Sequence, residues 1–102
     1  MKRLFVSQPM RGLTDDEIVA ERNRIILKAQ EALGEAVAPM RGNYYPPENE
    51  AMAARCLGDS IAAMAEADVA VFGKGWENAR GCRIMHQVCM DYGIPFVEIY
   101  SD

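Results

Sequence analysis

A chain of 102 residues has room for one hydrophobic core, and residues 1–102 read as a single domain. Half of its residues are hydrophobic and a quarter charged, which excludes a disordered segment. The formal charge of −4 at pH 7, with no concentrated basic stretch, excludes tight binding along a nucleic-acid polymer, although a few placed donors suffice for one phosphate.

Residues 4–6 form a first apolar strand, opened by Lys2 and Arg3 and closed by Ser7-Gln8-Pro9. The opening apolar run is too short for a signal peptide, and no later stretch is long enough to span a bilayer, so no membrane partner is expected. A loop through Met10-Arg11-Gly12-Leu13 leads to Thr14, which has the spacing of a capping box with Glu17 and precedes the acidic first turn Asp15, Asp16 and Glu17. Ile18, Val19, Ile25, Ile26, Ala29 and Leu33 recur at helical spacing until Gly34 stops the helix.

Residues 36–38 make a weak second strand. Residues 39–50 hold three of the five prolines and the pair Tyr44-Tyr45, which predicts an irregular connection, long for so small a domain. Residues 51–66 predict a helix with Met52, Leu57, Ile61 and Met64 on one side, weakened by about 1 kcal/mol at Gly58 relative to alanine. Residues 69–72, Val-Ala-Val-Phe, are apolar throughout, as in a strand buried on both faces of a parallel sheet. The glycine-rich loop Gly73-Lys74-Gly75-Trp76 follows, and Arg80-Gly81-Cys82 opens a helix carrying Ile84, Val88 and Tyr92 before Gly93 and Pro95 end it. Residues 95–99 predict a last strand. Strands alternating with helices predict a parallel α/β sheet of four to five strands with helices on both faces, joined by right-handed crossovers.

In such sheets ligands sit beyond the carboxyl ends of the strands, so the loops after the first and third strands are the candidate site. Arg11 offers a planar fork of donors, Ser7 a hydroxyl and Gly12 an unobstructed amide, which together suit a phosphate or carboxylate; an ordinary turn with a solvated arginine is the competing reading. Gly73-Lys74 is not a Walker loop, because no serine or threonine follows the lysine. Trp76 either stacks on a base or sugar or covers the edge of the core. The amino-end amides at Arg80-Gly81-Cys82 suit an anion. His86, the single histidine, reads as a packing or surface residue, and Asp59-Ser60 is a polar pair within an otherwise apolar helix.

Cys56, Cys82 and Cys89 are odd in number and lack the close spacing of a metal or redox motif, so the expectation is three reduced thiols in a cytoplasmic protein, with no metal and no cofactor. The methionines Met52, Met64, Met85 and Met90 serve either the core or a homo-oligomeric interface.

Phe5-Val6-Ser7-Gln8-Pro9-Met10-Arg11-Gly12, Ala67-Asp68-Val69-Ala70-Val71, Gly81-Cys82-Arg83-Ile84 and Tyr92-Gly93-Ile94-Pro95 together resemble the small prokaryotic and phage proteins related to nucleoside 2-deoxyribosyltransferases. The resemblance covers nearly the whole chain. It implies a three-layer flavodoxin-like, Rossmann-like sheet, oligomers, and cleavage or transfer at the N-glycosidic bond of a nucleoside or its 5′-monophosphate. The family attacks the anomeric carbon with a glutamate, forming a glycosyl-enzyme intermediate as retaining glycosidases do.

That glutamate lies four residues after the glycine opening the last helix, a position held here by Met85. The family tyrosine that orients it corresponds to Phe5, and the acidic residue of the preceding helix falls at Asp59 or Ser60. Phe5, Ser7, Gln8, Pro9, Arg11, Gly12, Ser60, Gly81 and Cys82, with Trp76 from the reading of its loop, are the candidate substrate-binding residues, and the resemblance puts the phosphate at Ser7, Arg11 and Gly12. Three functions are thereby opened: a transferase or N-glycosidase whose carboxylate comes from Asp59, Glu77 or a neighbouring subunit; a nucleotide-binding protein without turnover; and an oligomeric assembly module on the same fold.

Overall fold

The computed structural model describes residues 1–41 and 47–101. Its elements follow the order β1 (Lys2–Ser7), α1 (Asp15–Leu33), β2 (Val37–Pro39), α2 (Glu50–Met64), β3 (Val69–Phe72), α3 (Arg80–Tyr92) and β4 (Phe96–Glu98), with a short 3-10 turn at Trp76–Asn78. The four strands are all parallel in the spatial order β2-β1-β3-β4. Of the long connection after β2, residues 42–46, including Tyr44 and Tyr45, lie outside the described residues.

Alternation along the strands separates two apolar layers. Leu4, Val6, Val69 and Val71 face α1, where they bury Ile25 and Ala29. Ala70 and Phe72 face the opposite way and pack with Met64, Met85 and Cys89, joined by Phe5, Leu57 and Ile61. The result is α1, then the sheet, then α2 with α3, a three-layer α/β fold.

Local chemistry sets the helix ends. Thr14 Oγ1 accepts from the Glu17 amide while Glu17 Oε1 accepts from the Thr14 amide, and Gly34 closes α1 in the left-handed region. Asn49 caps α2 through the Met52 amide. One expectation changes: Met52 is 43 % exposed instead of joining the inward side of α2, and its sulfur accepts from the Glu48 amide. α3 opens at Arg80 as expected, with the extended backbone of Ala79 as its N-cap and no side-chain hydrogen bond there.

Gly73 shows why a glycine follows β3: a Cβ there would lie 2.4 Å from Ile25 Cδ1. Its amide donates to the Ser7 carbonyl, extending the β1–β3 ladder to the point where both strands end.

Candidate functional site

The chain runs from β1 outward to β2 and then returns to place β3 on the other side of β1. The connections after β1 and β3 therefore leave in opposite directions, the switch point beside which parallel α/β sheets bind ligands. Ser7 and Phe72 are paired at that edge, and the two candidate loops begin immediately after them.

Ser7 is buried on the side of the sheet that faces α3, and its hydroxyl donates a weak 3.8 Å hydrogen bond to Met85 Sδ. Phe5, two residues earlier in the strand, packs into the same cluster as Met85. Burial pushes the Cys82 thiol above its usual pKa, while a hydrogen bond to Ser7 pulls it the other way. Phe5, Ser7, Cys82 and Met85 thus meet beneath the start of α3. Gly81 sits at its first turn, where an added Cβ would come within 3.8 Å of Leu57 Cδ1 from α2. The buried residues around Met85, namely Met64, Ala70, Phe72 and Cys89, carry no carboxylate.

The rim above this floor is charged. The Met10 carbonyl accepts from the Leu13 amide across Arg11 and Gly12, and Gly12 takes φ 81°, the geometry that a glycine at the third position of a type II turn supplies. Arg11 is exposed on this turn. Arg80, the first residue of α3, donates from Nη1 to Glu50 Oε2 at 2.7 Å. That hydrogen bond and the Arg80 charge hold the Glu50 carboxyl below its usual pKa, and the charge of Arg11 adds a smaller pull in the same direction. Arg11, on the turn after β1, and Glu50 and Arg80, the first residues of α2 and α3, all lie at the carboxyl edge of the parallel sheet.

Other candidates fall elsewhere. The Gln8 side chain turns to the α1 face, where Nε2 donates to the Ile18 carbonyl at 3.2 Å and Oε1 is buried without a partner among the described residues. Pro9 packs near Gly75, bracing the two loops against each other. Asp59 is exposed and makes no hydrogen bond or ion pair among the described residues; the neighbouring Ser60 is half-buried, nearer the inward stripe of Leu57, Ile61 and Met64. Glu77 is exposed, and its carbonyl accepts from Arg83.

Trp76 lies against the core edge with its ring stacked on His86, centroids 4.0 Å apart and planes at 14°. His86 Nε2 is 2.7 Å from Glu98 Oε2, and its ring meets the edges of Phe72 and Phe96. His86 and Glu98 form a packed polar pair that joins α3 to β4. Sequence reading missed this pair and the Glu50–Arg80 pair, whose members lie 12 and 30 residues apart.

Among the described residues no group of three or more His, Cys, Asp or Glu side chains is placed to hold a metal ion. None of the described helices is long and apolar enough to cross a membrane. No family model, no curated protein and no solved structure matches this chain.

Proposed function

We propose that the crevice between β1 and β3 binds a nucleoside or, preferentially, a nucleoside 5′-monophosphate, on a site of the deoxyribosyltransferase and N-glycosidase type, and that Met85 leaves it a binding site without the usual nucleophile. The observation that carries this reading is the contact of Ser7 with Met85. It sets Ser7, which the resemblance assigns to the phosphate, beside Met85, which stands where the resemblance puts the family glutamate. A thioether has no charge with which to stabilise an oxocarbenium-like centre and forms no stable glycosyl ester.

The surroundings support the same conclusion. Phe5 offers no hydroxyl to orient an acid, and Ser60, not Asp59, is the half-buried member of its pair. Arg11 and Arg80 both stand at the carboxyl edge of the sheet, and each guanidinium offers a phosphate a fork of donors.

The test is a thermal-shift screen of the four deoxynucleosides and their 5′-monophosphates, with chromatography for free base in the same samples. Stabilisation by a monophosphate without base release is the expected result. Base release by the unaltered protein would show that a carboxylate elsewhere in the assembly does the chemistry, and stabilisation by no ligand would overturn the reading.

A second reading, an assembly module, draws on α2. Its outer side exposes Ala51, Met52 and Ala54 beside a hollow of about 290 Å³ lined by Asn49, Ala51, Met52 and Arg55. A homo-oligomer packed through this side gives a larger mass by light scattering that falls to the monomer value in Met52→Asp; a monomeric unaltered protein rejects it.

A further inference from the structure

We infer that Glu50 is an internal competitor for Arg80 at the rim, displaced when a phosphate monoester dianion binds, so that it tunes the site's preference for doubly charged over uncharged ligands. This rests on the nucleotide-binding reading and goes beyond it in assigning Glu50 and Arg80, which the resemblance does not mark.

Three connections supply the groups. Arg11 stands on the turn after β1, Glu50 is the first residue of α2, and Arg80 is the first residue of α3. The Glu50 carboxylate already holds Arg80 at 2.7 Å and lies within the field of Arg11, so it stands where an external anion would be stabilised. A carboxylate and a phosphate present similar acceptor edges to a guanidinium. The phosphate monoester adds a second negative charge and a third oxygen, so it competes for Arg80 more strongly than a single carboxylate does.

The exchange is accessible. The side chains of Arg80 and Glu50 are 61 % and 82 % exposed, and an ion pair so open to water holds weakly. Glu50 is also anchored to the end of a helix, so it can withdraw toward solvent without disturbing the buried floor at Ser7 and Met85. An uncharged nucleoside has no group with which to displace it.

The experiment is calorimetric titration of the full chain and of Glu50→Gln with the four deoxynucleoside 5′-monophosphates and the parent nucleosides. Glu50→Gln is expected to bind the preferred monophosphate about three- to fivefold more tightly, the reach of an exposed ion pair. Nucleoside affinity should stay unchanged, and the gain should shrink at high salt. If the unaltered protein binds a monophosphate and Glu50→Gln binds it equally or more weakly, the competitor role is overturned while the nucleotide reading stands. A gain shared equally by the nucleoside also overturns it. If neither protein binds any of the eight compounds, the nucleotide reading fails and the role of Glu50 fails with it.

Discussion

The Ser7 hydroxyl and the Met85 sulfur meet at 3.8 Å, joining the end of β1 to the second turn of α3. A carboxylate introduced by Met85→Glu would find the Ser7 hydroxyl as a donor but little water. The variant is expected to lose about 1–3 kcal/mol of stability, the usual cost of burying an incompletely paired polar group. It is also expected to release free base from a deoxynucleoside monophosphate that the unaltered protein leaves intact. Denaturant unfolding and chromatography check the two halves separately; a stable variant with no base release would show that the position does not reach the anomeric carbon.

Arg11 stands on an exposed turn, so its removal should leave the fold intact and act on ligand charge alone. Arg11→Ala is expected to weaken monophosphate binding about fivefold or more, with nucleoside binding changed less than twofold. Titration at two ionic strengths checks this, because the lost interaction is electrostatic. Equal losses for both ligands would place Arg11 away from the phosphate.

Gly73 lies too close to α1 for a larger residue. Ile25 is 2 % exposed, so its Cδ1 has little room to retreat from a Cβ placed 2.4 Å away. Gly73→Ala is expected to cost about 1–3 kcal/mol by overpacking. Ile25→Val removes the clashing methyl, and the double variant should therefore be more stable than the sum of the single effects indicates. Urea unfolding of all four proteins measures the coupling.

Burial pushes the Cys89 thiol up to about 11. Because the folded value lies above the unfolded one, the stability from keeping this thiol neutral is fully present below the unfolded thiol pKa. It is lost as pH rises through about 11. The melting temperature should therefore fall between neutral pH and pH 11 with a steeper slope than in Cys89→Ala. At pH 8 a thiol reagent should modify Cys89 only as fast as the chain unfolds, since the thiolate is the reacting species.

Locally encoded features were legible in the sequence. The Thr14 and Glu17 spacing, Gly34 and the apolar run at residues 69–72 marked α1 and β3, whose signals lie within a few residues. Strands alternating with helices sufficed for the parallel three-layer arrangement. Pairing between distant elements left no such trace. His86 read as an isolated side chain because Glu98 reaches it only once β4 lies beside α3, and Glu50 fell at the end of the irregular connection expected over residues 39–50 because its partner Arg80 is 30 residues away. The direction of Gln8 is a different case: strand alternation places Ser7 and Gln8 on opposite faces, and treating both as lining one loop obscured that.

The stacked pair Trp76 and His86 has a practical consequence. Trp76 is the sole indole of the chain and sits in the loop that borders the crevice. Its ultraviolet emission therefore comes from one known place, next to an imidazole that quenches by contact. Any occupant that shifts this loop should change the brightness or colour of the native protein, giving a label-free optical titration without an engineered dye.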